Sequence, residues 1–206
     1  VLGQQVLMGR MNIPAPILME TIQPGSGVTV SQYAALVARA RTNPASLTPA
    51  EQAILAQPSI PYNLDAWDGY QAARETVLAT SRSLGKNLVV LSGDTHNAWA
   101  NELQDRNGNA VGVEFATSSV TSPGFEEYLP NENPATLAGA LQQLIAPLKY
   151  CDTSRRGYMV LTATASECRA DWVYVNTITS RNYTASTDKS LKVVAGAAGV
   201  GRIVAA

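Results

Sequence analysis

The chain has 206 residues, with 15 Lys and Arg against 16 Asp and Glu, one His, two Cys and 46% hydrophobic residues. A net charge of −1 leaves no electrostatic footprint for a nucleic-acid backbone or an anionic membrane. No apolar run approaches the ~20 residues of a membrane-spanning helix, and the segment from Val1 lacks the charged start and long apolar stretch of a signal peptide. The first 60 residues read as loop-rich, because Pro14, Pro16, Pro24, Gly25 and Gly27 interrupt any long element. A helix is expected where Ser31 can cap a segment burying Tyr33, Leu36, Val37 and Ala40. A second helix start stands at Thr48-Pro49-Ala50-Glu51, where the Thr hydroxyl and the Glu carboxylate can satisfy each other's backbone N–H and Pro fits the first turn. From Asp65 to Leu84, the spacing of Trp67, Tyr70, Ala73, Val77 and Leu84 predicts one longer amphipathic helix, stopped by Gly85.

Asn87 to Ser92 is a short apolar run directly after a helix, the pattern of a strand buried on both faces, and a helix feeding such a strand is α/β grammar. Trp99 to Leu103 and Ala110 to Ala116 read as a hairpin around Asp105–Asn109, with Asn107-Gly108 supplying positive φ angles. A helix capped by Asn133 is expected over Pro134 to Leu144, followed by two antiparallel strands, Tyr158 to Ala163 and Asp171 to Thr177. The tail from Val194 to Ala206, with Gly196, Gly199 and Gly201, lacks the Lys and Ser/Thr of a phosphate loop and reads as a packing element or a frayed end. Cys151 and Cys168 lie 17 positions apart around a predicted strand. A disulfide there would constrain the unfolded chain by roughly 3 kcal/mol and imply an oxidising compartment; two buried free thiols, or metal ligation, are the other readings.

The chemistry concentrates after the buried strand. Ligands collect beyond the carboxyl ends of strands in open α/β sheets, and Ser92-Gly93-Asp94-Thr95-His96-Asn97 occupies that place. Asp94 and His96, two residues apart on an extended loop, can aim an oxygen and an imidazole nitrogen to one side, a pair suited to iron, manganese or zinc, with calcium acceptable to the carboxylate. The alternative is a structural His bonded to Asp94. The lone histidine excludes a self-contained His-Glu-x-x-His zinc site, so further ligands must be carboxylates or come from elsewhere. Asn97 can orient a ligand or simply close a turn. Asp65, Trp67, Asp68 and Tyr70 can line a substrate mouth or anchor the core. Arg155 and Arg156 can meet phosphate or pair with carboxylates. The hydroxyls of Thr117 to Ser122 have no base except His96 and sit in no Gly-x-Ser-x-Gly elbow, which argues against a serine nucleophile. Asn182-Tyr183-Thr184 has the glycosylation pattern.

The run Val89 to Leu103 resembles the C-terminal metal-binding motif of the alkaline phosphatase D (PhoD-like) family of calcineurin-like metallophosphoesterases. Four further segments are similar to the family in the same order: Leu2-Gly3-Gln4-Gln5, Asp65 to Tyr70 with Arg74, Val113 to Gly124, and Arg156-Gly157-Tyr158 with the strand holding Trp172 and Val175. The resemblance implies an α/β fold, the C-terminal part of a two-sheet metallophosphoesterase sandwich flanked by helices, with residues 1–206 as that portion. It implies a metal-dependent hydrolase of phosphate monoesters or diesters, with iron and calcium as metals and zinc or manganese as substitutes. Asp94 and His96 would then be metal ligands; if His96 lies outside the metal's shell, it would orient or protonate the leaving oxygen as the catalytic residue.

The family's other ligands lie in motifs that precede Leu-Gly-Gln-Gln. Since Val1 is not Met, the chain reads as a processed or excised product. The expected partners are a phosphate ester and the N-terminal half of the same protein, the expected location periplasmic or secreted, and an apolar face should remain where missing strands would pack. The competing reading is a catalytically silent, disulfide-stapled domain that binds a ligand or partner through loops around Trp67 and Phe125.

Overall fold

The computed structural model describes residues 1–196 and 200–206; Gly199 of the glycine-rich tail lies outside them. A five-stranded mixed sheet forms the centre, in the order β1 (Leu2–Gly3), β4 (Leu88–Ser92), β6 (Ala110–Ala116), β5 (Ala98–Gln104), β7 (Leu148–Asp152). The pairs β1/β4 and β4/β6 are parallel, while β5 runs antiparallel to both β6 and β7. A second, antiparallel sheet lies against it in the order β11 (Ile203–Ala205), β10 (Ala185–Val194), β9 (Glu167–Val175), β8 (Gly157–Ala163). A small ribbon pairs β2 (Asn12–Pro14) with β3 (Ser59–Pro61). The helices are α1 (Ala15–Ile22), α2 (Val30–Thr42), α3 (Pro49–Leu55), α4 (Gln71–Ser83), α5 (Phe125–Tyr128) and α6 (Pro134–Leu144).

Alternation along the central strands sorts their side chains into separate cores. Val89 of β4 and Ala98 and Ala100 of β5 face the second sheet and pack with Phe115, Tyr150, Trp172 and Tyr174. Val90 and Leu103 turn the other way, onto Leu78 of α4, and Trp99 packs with residues of α1, α2 and α6. The strand ending at Ser92 is therefore covered on both faces, as its apolar run requires. Two buried hydrogen bonds cross between the sheets: Trp172 Nε1 donates to the Ala116 carbonyl at 2.9 Å, and the Tyr150 and Tyr174 hydroxyls meet at 2.6 Å. Among the described residues both faces of the central sheet are covered, so the expected exposed apolar face is not found on it. Val1 and Leu2 are exposed instead at its open edge, and Tyr158 and Val160 on the second sheet.

The cysteines correct the disulfide expectation: both are buried free thiols. Neighbouring strand residues point to opposite faces, so Tyr150 faces the second sheet while Cys151 faces the helices, where its thiol donates to the Ala138 carbonyl at 3.4 Å. Cys168 belongs to the core between the sheets, so the central sheet separates the two sulfurs. Burial pushes the Cys151 thiol up to about 12. The argument for an oxidising compartment goes with the bridge.

Other boundaries moved for local reasons. The cap of α2 is Thr29, whose hydroxyl accepts from Gln32 N while the Gln32 side chain accepts from Thr29 N; Ser31 instead donates to Glu132. The Thr48/Glu51 box and the Asn133 cap form as expected. The predicted long helix is split into a 3-10 turn at Trp67–Gly69 and α4, because the buried Asp68 accepts the Met11 N–H at 2.8 Å and Gly69 presses onto Leu64. Its buried face is Arg74 and Leu78, while Ala73 and Leu84 are exposed. Gly85 stops it at φ 60°, and in the β5/β6 turn only Gly108 of the Asn-Gly pair takes a positive φ. Short α1, the strands β1, β2 and β3, the edge strand β7 and the inner strand β10 lay in segments where no such element was expected.

Candidate functional site

Because β4 and β6 are parallel, their carboxyl ends, Ser92 and Ala116, deliver two loops to the same edge of the sheet. The segment after β1 joins them. Gln5 accepts from the backbone N–H groups of Gly93 (3.3 Å) and Asp94 (3.2 Å) through its carbonyl, and its side-chain amide donates to Asp94 Oδ1 at 3.1 Å. Asp94 is exposed, with one carboxylate oxygen fixed by Gln5.

His96 is held more tightly. Among the described residues it is the one non-glycine with a positive φ, at 63°, a left-handed conformation that side-chain-bearing residues rarely adopt outside functional or tightly turned sites. Its N–H donates to the Gly93 carbonyl at 3.1 Å, and its own carbonyl accepts from Ser119 N at 3.1 Å. On the ring, Nδ1 lies 2.9 Å from the Pro123 carbonyl. A carbonyl can only accept, so Nδ1 is the donor, and in the neutral ring Nε2 then keeps its lone pair, the tautomer that suits a metal ligand or a base. Asn97, buried, braces the same loop: its amide donates to the Thr95 carbonyl at 2.8 Å and its oxygen accepts from Phe125 N at 3.2 Å. Gly124 must be a glycine here, since a Cβ would fall 2.4 Å from Asn97 Oδ1. The Trp99 indole donates to the Thr95 hydroxyl at 2.7 Å.

Beneath these loops Glu114 of β6 is fully buried. Four donors converge on it: Met8 N and Gly9 N at 2.8 Å each, Ser92 Oγ at 3.0 Å and Asn101 Nδ2 at 3.2 Å. Burial pushes its carboxyl upward and the four hydrogen bonds oppose that push. Glu114 thus ties the chain after Gln5 to the end of β4. A charged residue inside the apolar strand Ala110-Val-Gly-Val-Glu-Phe-Ala116 was the sequence signal for such a network, and sequence reasoning assigned it no role. The Gln5 amide and the Pro123 carbonyl were equally unassigned, and neither carries a local signal.

The other named residues divide clearly. Trp67 donates to Gln4 Oε1 at 3.0 Å, which puts it beside the Gln4-Gln5 segment. Asp65 and Tyr70 are exposed, and Asp68 is structural, its carboxyl raised by burial. Arg155 pairs with Asp152 and Asp188 and covers the Tyr174 ring; Arg156 pairs with Glu126. Phe125 is packed edge-on between Tyr62 and Trp99, which leaves it no free face for a partner. Among the described residues no three His, Cys, Asp or Glu side chains gather into a metal cluster. Asp94 and His96 fit a metal in kind, one hard oxygen and one oriented imidazole, and fall short of a full ligand set.

A family model described as PhoD-like phosphatase matches residues 1–172. Alkaline phosphatase D of Bacillus subtilis (strain 168) is 31% identical over 136 residues, which cover 63% of this chain and 22% of that protein. A solved structure described as "Structure of PhoD" shares the fold over 100% of this chain and 31% of its own, with a TM-score of 0.62 at 22% identity. The chain therefore spans less than a third of the length of these relatives. With the family model covering most of its residues, the chain belongs to the PhoD-like phosphatase family.

Proposed function

We propose that the chain forms the later part of a metal-dependent phosphoric ester hydrolase of the alkaline phosphatase or phosphodiesterase type, with Asp94 and His96 as metal ligands. The observation that carries this reading is the His96 ring, fixed through Nδ1 on Pro123 so that Nε2 is left free at the carboxyl edge of two parallel strands. Family membership supplies the phosphate ester. The remaining ligands come from an N-terminal half of the same protein, in keeping with relatives several times longer than this chain. Iron and calcium are the proposed metals, with zinc or manganese as substitutes; a periplasmic or secreted location rests on the family resemblance alone, since the free thiols give it no support.

A bound metal at this edge would offset charge on the phosphoryl oxygens and acidify a water. The chain's own residues do the positioning. Gln5 orients the Asp94 carboxylate by holding one oxygen and leaving the other to the metal. Pro123 fixes the tautomer and direction of the imidazole, and Asn97 keeps the loop from relaxing out of the left-handed turn at His96. If His96 stands just beyond the metal, the same bare Nε2 can accept a proton from water and return it to the leaving oxygen.

The test uses the intact protein that carries this chain, assayed with p-nitrophenyl phosphate and bis(p-nitrophenyl) phosphate and analysed for bound metals. Asp94→Asn and His96→Ala should each lower kcat/KM by about 100-fold or more and reduce the metal content. Full activity and full metal content in both variants would sink the assignment.

A further inference from the structure

A cavity of 740 Å³ against α4 is lined by ions that already satisfy one another: Arg82 pairs with Asp105, and Arg106 with Glu75. A smaller cleft of 340 Å³ is different. It is walled by Val120, Tyr158, Ile178 and Tyr183, which are 47% to 65% exposed, and by Arg181, which has no carboxylate partner among the described residues. Four large apolar side chains thus stand open around one cation, a grouping that offers both area and charge to a ligand.

The position of the cleft links it to the candidate site. Val120 and Thr121 lie between Ser119, whose N–H reaches the His96 carbonyl, and Pro123, whose carbonyl holds the His96 ring. One wall of the cleft is therefore the short arc that grips His96 at both ends. The opposite wall is the β9–β10 connection, closed at its base by Asn176 and Thr184 through bonds of 3.1 and 2.9 Å. Gly157 lines the cleft and itself donates to the Ser119 carbonyl at 2.9 Å; a Cβ there would fall 2.0 Å from the Val173 carbonyl.

We infer that this cleft is the subsite for the alcohol part of the phosphate ester, and that it takes an aromatic or comparably flat apolar group. The inference rests on the phosphoesterase reading. Tyrosine rings and branched aliphatic side chains bind such a group through area and edge-to-face contact, while Arg181 supplies positive charge for the ester's anionic oxygens. A small alkyl group would leave the same walls wet.

The experiment compares inhibition of the intact protein by phenylphosphonate and by methylphosphonate, which share the anionic head and resist hydrolysis. Phenylphosphonate should bind more tightly. Tyr158→Ser and Tyr183→Ser should each weaken it by about fivefold while changing methylphosphonate by less than about twofold, and Arg181→Gln should weaken both. These are exposed positions, and an unchanged melting temperature in each variant shows that the fold is kept. Equal affinity for the two phosphonates, or a phenyl preference untouched by the tyrosine variants, in a protein that still hydrolyses phosphate esters, overturns the subsite alone. A protein that hydrolyses no phosphate ester and binds neither phosphonate overturns the subsite together with the reading beneath it.

Discussion

Glu114 and Glu51 each fasten a chain segment through a carboxylate, and their surroundings give them opposite characters. Glu114, fully buried under the Asp94 loop, takes donors from three separate segments, and burial pushes its carboxyl up. Glu51, at the start of α3 in the helical arm, accepts two bonds from the Arg39 guanidinium and one from Thr48 N, and these hold its carboxyl down at about 2. Water stands ready to replace Glu51's partners. Inside the sheet nothing can replace Glu114, so its loss strands Met8 N, Gly9 N, Ser92 Oγ and Asn101 Nδ2 together. The same residue type is a local clasp in the arm and a shared support at the site edge.

The largest effect should follow from removing that support. Glu114→Leu leaves buried donors unpaired and is expected to cost about 3–5 kcal/mol in urea unfolding. Glu114→Gln keeps one acceptor oxygen and turns an NH2 toward existing donors, so it should fall between Leu and wild type. A cost below about 1 kcal/mol for the leucine variant would erase the contrast, because it would mean the site edge holds without its carboxylate. The matching change in the arm, Glu51→Gln, should cost less than either.

A neutral buried bond sits between these extremes. Trp172 Nε1 joins the two sheets by donating to the Ala116 carbonyl at 2.9 Å, one residue before the loop that leads to Ser119 and Pro123. Trp172→Phe removes that donor and some ring volume, for an expected loss of about 1–3 kcal/mol. If it cost more than Glu114→Leu, the second sheet and not the carboxylate would be the main support of the site edge.

What could be read in advance follows the range of the interactions. Thr48-Pro49-Ala50-Glu51 and Asn133 announce helix starts because the bonds they make close within three residues. The run Leu88–Ser92 announces a strand because burial on both faces demands continuous apolar residues. The site loop was legible as a place, through Gly93-Asp94-Thr95-His96 at a strand end, and its wiring was not. Gln5 reaches Asp94 across 89 positions and Pro123 reaches His96 across 27, so no local pattern encodes either bond. The cysteine error has the same origin. A spacing of 17 suits a bridge, while the facing of β7 and β9, fixed by the packing of the whole sandwich, puts a sheet between the thiols. The helix predicted over Asp65 to Leu84 broke at Asp68, whose buried carboxylate is claimed by Met11 from 57 positions away.

The smallest effect gives the most direct check on the two glutamates, because it turns on sign. Glu51 titrates near 4.5 without its partners and near 2 with them, so its contribution is present above pH 4.5 and is lost as pH falls through about 2. Glu114 is shifted the other way: whatever it contributes through protonation is full below its unfolded range and is lost as pH rises through its raised folded value. Melting temperatures of wild type and Glu51→Gln, measured from pH 7 down to pH 2, should therefore converge toward the acid end, and added salt should narrow the gap at pH 7 because the Arg39 pair lies at the surface. The penalty of Glu114→Gln should not converge in this way, since a raised carboxyl favours the wild-type fold more, not less, toward the acid end. A gap for Glu51→Gln that stays constant from neutral to acid would show that the α3 clasp does not depend on the charge of its carboxylate, and the distinction between clasp and support would then rest on burial alone.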